Sequence, residues 1–422
     1  MFDSIYVILF LLGVPFFAYA FYNIFIGLKG YRKYRHYPKA APKNRFCAVV
    51  AARNEEGVIG QLVDTLKNVD YPEELVDIWV IPNNCTDETG RVAREHGANV
   101  YDPKREIHSK GEALNEFFDY TFAMNDTYDA FCVFDADNLV DPHFFKSMNN
   151  ALESGVRIAQ GYRESKNPKD SWVSGCQSVF YWTINRFMNE SKMGFGLSAT
   201  LNGTGFMVCR EILEKDGFNT FSLTEDIEFS TQNIMKGETV YFVSDAITYD
   251  EHPTDQATSW KQRSRWSTGT IQCLYHYGPM LWKDWRETKN FKCFDMLVYL
   301  LAPFLQVLST IYGVFTIVIY AIISLYQMEM SNSFIFAVVL TVVSLVFSVI
   351  YSMFVVKMEH HKVNEVAGSA FFSFWYFIMS WAIINIIVFF KPITTWEPIE
   401  HKKGVELADI EKAGDLRTVS AE

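Results

Sequence analysis

The chain has 422 residues, enough for a sizeable domain and further segments, and a formal net charge of −11. That acidic balance argues against a nucleic-acid partner, which would call for a basic face. Seven cysteines, at 47, 85, 132, 176, 209, 273 and 293, are odd in number and lack C-x-x-C spacing, which excludes a disulfide framework and a zinc site and fits a reducing compartment.

Residues 4–28 contain no charge and exceed the ~20 needed to cross a bilayer as a helix. No basic region precedes them and no small-residue cleavage site follows, so residues 1–28 are expected to be a retained transmembrane anchor rather than a signal peptide. Residues 29–45 form a basic linker: Lys29, Arg32, Lys33, Arg35, Lys39, Lys43 and Arg45 occur with no acid among them. By the positive-inside rule the domain that follows is expected in the cytosol, on a multi-pass protein of the cell membrane.

Phe46 to Ala52 reads as a buried strand that breaks into Arg53-Asn54-Glu55. Val58, Leu62, Leu66 and Val69 then recur at helical spacing. Residues 75–81 are a second strand, ending in Pro82-Asn83-Asn84-Cys85-Thr86-Asp87 and followed by a helix to about His96. Asn99 to Tyr101 is a third short strand, 111–124 a helix, and 130–134 a fourth strand that runs into Asp135 and Asp137. The alternation predicts an α/β fold, a Rossmann-type, mostly parallel sheet with helices on both faces. Ligands of such sheets bind beyond the carboxyl ends of the strands, where Asp135 and Asp137 are positioned to hold one hard cation. Asp after a strand is also ordinary turn chemistry.

Residues 172–200 mix aromatic and apolar residues with Lys and Arg. They fit amphipathic helices on a membrane surface and a core helix pair equally. Gly203 and Gly205 allow close backbone approach to a ligand. Thr224-Glu225-Asp226 leads into a helix over 227–235, with Thr224 or Asp226 as its cap. Residues 239–243 are a further strand. Asp250-Glu251-His252-Pro253 and Gln262-x-x-Arg265-Trp266 follow.

Residues 271–295 carry Tyr275, Tyr277, Trp282 and Trp285 among Lys and Arg, which predicts an interfacial helix region. The uncharged blocks 296–328, 330–356 and 366–390 predict transmembrane helices within 296–390. The tail, 391–422, with Lys391, Lys402, Lys403 and Trp396-Glu397-Pro398-Ile399, is expected in the cytosol. One amino-terminal span plus three carboxy-terminal ones would put it outside. An interfacial or re-entrant piece near Pro303, or a different crossing of the amino terminus, would remove the conflict.

Arg53-Asn54-Glu55, Asn83 to Asp87, Lys110-Gly111, Asp135-x-Asp137, Thr224-Glu225-Asp226 and Gln262-x-x-Arg265-Trp266 occur in that order on one α/β domain. Over residues 46–270 the chain resembles the membrane-integrated, inverting family-2 glycosyltransferases: cellulose, hyaluronan, chitin and poly-N-acetylglucosamine synthases. The resemblance implies a GT-A-like fold and Mg²⁺ or Mn²⁺ held by Asp137 with Asp135. His252 would complete the shell only if it is not, as a lone histidine more often is, structural. It implies donor contacts from Ala52, Arg53, Glu55, Asp87 and Lys110. It implies Asp226 as the general base, and acceptor or diphosphate contacts from Gly203, Thr204, Glu225, Gln262, Arg265 and Trp266. Asn83 and Asn84 depart from the acidic residue usual there, which leaves the base less defined than the fold. The implied activity is transfer of a hexose or N-acetylhexosamine from a UDP-sugar to a growing β-linked polysaccharide, with accessory export subunits possible. The alternative is single addition to a lipid acceptor in the bilayer. A catalytically dead scaffold would be expected to lack Asp137, Asp226 or Trp266, and all three are present.

Overall fold

The computed structural model describes residues 2–124, 127–327, 332–359 and 362–393. Most of the expected tail, including Trp396, Lys402 and Lys403, lies outside the described residues. In chain order the elements are α1 (Phe2–Gly27), β1 (Phe46–Ala52), α2 (Ile59–Lys67), β2 (Val76–Pro82), α3 (Thr89–Glu95), β3 (Asn99–Val100), α4 (Lys110–Ala123), β4 (Ala130–Phe134), β5 (Leu139–Val140) and α5 (Phe144–Glu153). They continue with β6 (Ile158–Ser165), α6 (Trp172–Thr183), a wide helical turn (Ile184–Glu190), α7 (Ser191–Gly194), β7 (Phe206–Cys209), α8 (Arg210–Asp216), α9 (Glu225–Met235) and β8 (Val240–Asp250). The last are α10 (Gln256–Thr288), α11 (Phe291–Leu300), α12 (Ala302–Gln327), α13 (Asn332–Met358) and α14 (Gly368–Phe390).

Successive side chains of a strand point to opposite faces, so β1 supplies two cores. Cys47 and Val49 join Phe117, Phe118 and Trp182, while Phe46, Ala48 and Val50 join Ile59, Leu62 and Phe145. A strand covered on both faces must be apolar throughout, which is why β1 and β4 are near-continuous apolar runs.

The sheet order is β3-β2-β1-β4-β7-β6-β8-β5. The half from β3 to β4 is parallel, as the alternation predicts. β7 is antiparallel to both β4 and β6, and β5 to β8. The chain enters β7 from the rim where β4 ends: Gly205 N donates to Val133 O (2.8 Å), so the Gly203-Thr204-Gly205 turn sits beside Asp135. β8 runs on past the expected end at 243 to Asp250, because a bulge at Ser244–Ala246 interrupts its apolar pattern without ending its pairing.

Residues 172–194 form neither a helix pair nor a free amphipathic surface but one continuous helical run packed into the core. Trp182, Asn185 and Arg186 are buried, and α6 packs between β6 and the apolar helices α13 and α14. α10 runs unbroken through residues 270 and 271, its start capped by Asp255, whose Oδ1 accepts from Thr258 N (2.9 Å). The apolar block beginning at 296 holds the end of α11 and, after a break at Leu301, the whole of α12.

Four described helical segments are long and apolar enough to cross a membrane: Ser4–Tyr31, Ala302–Gln327, Asn332–Met358 and Gly368–Phe390. α1 packs along α12, with Tyr312 Oη donating to Leu9 O (2.9 Å). The end of α13 is fastened to the sheet by Glu359. Its buried carboxylate accepts from Tyr34 Oη (2.9 Å), from Tyr162 Oη (2.7 Å) and from Arg186.

Candidate active site

The carboxyl ends of β1, β4, β6 and the long β8 open into one cavity of about 970 Å³. Ala52, Arg53 and Glu55 enter from β1, Asp135 and Asp137 from β4, Arg163 from β6, and Asp250 and His252 from β8. α9 contributes Glu225 and Asp226, and α10 contributes Gln262, Arg265 and Trp266. The three side chains on which a single-site reading depends, Asp137, Asp226 and Trp266, therefore line the same space.

Lys110, the first residue of α4, ties the acidic groups together. Its ammonium donates to Asp135 and to Gly203 O (2.7 Å) and lies 3.8 Å from Glu225. Burial opposes the Lys110 charge, but Asp135 and Glu225 outweigh it and hold the group protonated. Burial likewise pushes the Asp135 carboxyl up, and Lys110, then Arg163 and Arg265, bring it below the usual range. Burial, then Asp137 and Asp135, push Glu55 up to about 9. A site that loads carboxylates this densely is one in which added positive charge is stabilised.

Asp226 stands at the first turn of α9, its Oδ1 accepting from Ile227 N (2.8 Å). Thr224 holds the cap position, but its side chain makes no cap bond. Burial and then Glu225 raise Asp226 to about 7, despite Lys110 and Arg163. Gly203, at φ +89°, brings its backbone against this carboxylate; a Cβ there would stand 3.6 Å from Asp226 Oδ2. On the other side, Gly269 lets α10 close on the same loop. A Cβ there would meet Thr224 Oγ1 at 2.4 Å and Thr224 N at 2.6 Å. Gly269, one turn beyond Trp266 on α10, thus sets how near Trp266 comes to Asp226.

Trp266 meets Tyr181 edge-on (6.1 Å between centroids) and Trp381 of α14 nearly parallel (6.4 Å, 28°). Gln262 accepts from Gln177 Nε2 (2.8 Å). Arg265 Nε is buried and bonded to none of the described residues, as is His252 Nε2. The His252 ring stacks on Tyr181 (5.3 Å, 12°), and burial, then Arg163, lower its pKa to about 3, so its ring is neutral.

Two expected site residues do not line the cavity. Asp87 is turned to its own loop and the loop after β1, where its carboxylate accepts from Thr89 N (3.1 Å), Thr89 Oγ1 (2.6 Å) and Glu56 N (3.1 Å). Thr204 is fully buried; its hydroxyl accepts from Asp135 N (3.0 Å) and donates to Asn138. Both residues brace the rim. Conversely, Arg163 lies in the cavity unheralded by any motif. It donates to Asp250 and Asn202 O, and its guanidinium lies 4.1 Å from the Tyr181 ring centroid. The basic residue amid the polar stretch Gln160–Ser165 was the available signal.

The cavity does not stop at the strand ends. It continues between α1, α11, α12 and α13, where Ile24, Leu28, Phe187, Tyr299, Pro303 and Phe347 line it. Ile24, Leu28 and Phe347 are more than half exposed. The same space is thus charged at the sheet and apolar among the long helices.

Known proteins resemble the chain in sequence and in fold. The chain is 24% identical over 421 residues to the probable glycosyltransferase YdaM of Bacillus subtilis (strain 168), covering 91% of this chain and 96% of that one. It is 25% identical to the beta-monoglucosyldiacylglycerol synthase of Nostoc sp. (strain PCC 7120) over 64% of this chain and 58% of the relative. It is 23% identical to the poly-beta-1,6-N-acetyl-D-glucosamine synthase of Staphylococcus aureus (strain MSSA476) over 62% and 61%. It thus spans less than two thirds of each of the last two. The mannosyltransferase PcManGT from Pyrobaculum calidifontis, solved with GDP-Man and Mn²⁺, shares the fold over 91% of this chain and 98% of its own, with a TM-score of 0.63 at 15% identity. Residues 42–269, more than half of the sequence, match the family described as "Glycosyltransferase like family 2", and the chain belongs to that family.

Proposed function

We propose that the protein transfers a hexose or N-acetylhexosamine, with inversion, from a nucleotide sugar to the hydroxyl of a membrane-lipid acceptor. The continuity of the cavity carries this reading: one space joins Asp135, Asp137 and Asp226 to the exposed apolar side chains Ile24, Leu28 and Phe347. A hydroxyl headgroup reaches Asp226 while acyl chains stay among apolar side chains, so neither part is desolvated without compensation. The relative named for a glucosyl-diacylglycerol product supports the same choice.

Asp226 accepts the proton of the attacking hydroxyl, and its elevated pKa suits a base working near neutrality. A single displacement at the anomeric carbon inverts it, so an α-linked donor gives a β-linked product. Lys110 and Arg265 face the donor phosphates, Lys110 as a point charge and Arg265 through its unpaired Nε. Trp266 offers a flat apolar face to a sugar ring. Arg53 and Glu55 border the donor side, where Asn83 Oδ1 is buried, bonded to none of the described residues, and can accept from a base edge.

The donor set fits a divalent cation. Asp135 and Asp137 are hard oxygen ligands, Glu55 registers the surplus negative charge, and His252 Nε2 is neutral and unbonded. Among the described residues no three His, Cys, Asp or Glu side chains cluster closely enough to hold a metal unaided. Asp137 and Asp135 would hold Mg²⁺ or Mn²⁺ jointly with donor phosphates, and the ion would neutralise the charge that develops on the departing nucleoside diphosphate. The donor is proposed to be a UDP-sugar, and the catalytic domain to face the cytosol at the cell membrane, as the basic linker implies.

A second reading, processive synthesis of a β-linked polysaccharide with export subunits, draws on the Trp266–Trp381 pair beside Gln262 and Arg265, a surface on which consecutive sugars stack. A screen in lipid nanodiscs separates the two. UDP-glucose, UDP-N-acetylglucosamine, UDP-galactose and GDP-mannose are supplied with and without Mg²⁺ or Mn²⁺, and with diacylglycerol, polyprenyl phosphate or no added lipid. Label in an organic-extractable product of one or two sugars supports the lipid reading. A water-soluble or insoluble polymer formed without added lipid overturns it.

A further inference from the structure

α14 has 23 residues, about 34 Å of helix, and is apolar on every side, the pattern of a bilayer span. A span that leaves the catalytic domain ends roughly 30 Å away from it. α14 touches the catalytic domain at its start, its middle and its end. At the start, Ala367 N donates to Pro168 O (3.1 Å), and Ala370 O accepts from Cys176 Sγ of α6 (3.4 Å). Midway, Arg263 Nη1 of α10 donates to Phe377 O (3.0 Å) and Ser380 Oγ (2.8 Å). Past the end, Ile393 N donates to Thr268 Oγ1 of α10 (3.4 Å).

Its contacts with the long helices are at their domain-side ends. Phe389 lies edge-on to Phe304, the third residue of α12 (5.5 Å), and Phe374 lies against Tyr351 near the end of α13 (6.4 Å). Its exposure is striped. Phe372, Trp375, Met379, Ile383, Ile387 and Phe390 recur every three or four residues, and each is at least 40% exposed. The opposite stripe, with Phe374, Phe377 and Ile384, is buried against protein. α13 likewise exposes apolar side chains, among them Val343, Val346 and Ile350. One side of the apolar helix is covered by protein and the other is left open.

We infer that α14 does not cross the bilayer. It lies flat in the leaflet next to the catalytic domain, its exposed stripe in the acyl chains, and the chain crosses three times, through α1, α12 and α13. Three crossings return residues 391–422 to the side of the catalytic domain; four would put them opposite. The inference is independent of the acceptor.

The test uses the full chain with an epitope tag after Glu422, in sealed vesicles of known orientation treated with external protease. The expected result is that the tag is cleaved in the same vesicles in which the catalytic domain is cleaved, and protected in those in which it is protected. A tag protected where the domain is cleaved overturns the inference. Spin labels at Phe372→Cys and Phe390→Cys, with Cys85 replaced by Ser, give a second readout. Both labels are expected at one depth, whereas a crossing helix separates them by about 27 Å.

Discussion

The two halves of the cavity are built on opposite terms. At the strand ends, Asp135, Asp137, Glu55, Asp226, Lys110 and Arg163 crowd together, and their charges are only partly matched. Among the helices the lining is mainly apolar, and the ionised pair there is closed on itself: Lys192 Nζ lies 2.9 Å from Asp295, which also accepts from Tyr22 Oη (2.7 Å). A buried charge costs stability unless it is paired. The helix half therefore pairs its ions, and the sheet half keeps an imbalance that a charged donor and a cation correct. Under the proposed function, the sheet half is the place of reaction and the helix half the place of acceptor binding.

The largest expected effect falls on the base. Asp226→Asn should lower kcat by roughly 10²–10⁴-fold and leave donor affinity, measured by calorimetry, nearly unchanged; normal turnover would remove Asp226 from its role. Next is Asp137→Ala, which should weaken donor binding roughly 10²-fold in the presence of Mg²⁺ or Mn²⁺ and abolish the metal's effect on it. Metal-dependent binding that survives would dissolve the cation site.

The pH profile comes third. Asp226 must be deprotonated to accept the hydroxyl proton, and its pKa is raised to about 7. The rate should therefore be level above about pH 7 and fall about tenfold for each unit below it. A profile flat down to pH 5 would place the base elsewhere. The smallest effect belongs to the helix half. Phe347→Trp, narrowing the apolar side, should raise KM for the lipid acceptor several-fold, by roughly 1 kcal/mol, and leave donor hydrolysis alone. Equal losses in both assays would mean that the two halves do not divide the work.

The sheet half was the more legible in sequence. β1 and β4 announce themselves because a strand covered on both faces is apolar throughout, and Asp135 and Asp137 follow directly from where β4 ends. β6 gave no such signal. Its buried polar side chains draw on partners far along the chain: Gln160 on Asn202 N (2.7 Å) and Thr204 O (2.9 Å), Glu164 on Trp182 Nε1 (2.7 Å). Arg163 went unread for the same reason. Motif matching put Thr204 and Asp87 among the ligand contacts, whereas their hydrogen bonds hold the rim that presents the neighbouring residues. Hydropathy read the helices as apolar but could not say what covers each side. The flat course of α14 is a matter of contacts, and contacts between residues 263 and 377 have no local signature.

The most direct measurement is photolabelling. A diacylglycerol carrying a photoreactive group midway along one acyl chain is irradiated with the protein in nanodiscs, and the adducts are mapped by mass spectrometry in the wild type and in Asp226→Asn. The prediction is labelling of Ile24, Leu28 or Phe347 in both proteins, reduced by an excess of unlabelled diacylglycerol. Labelling confined to the outward stripes of α13 and α14, and indifferent to that competitor, would contradict a lipid acceptor seated in the cavity above Asp226.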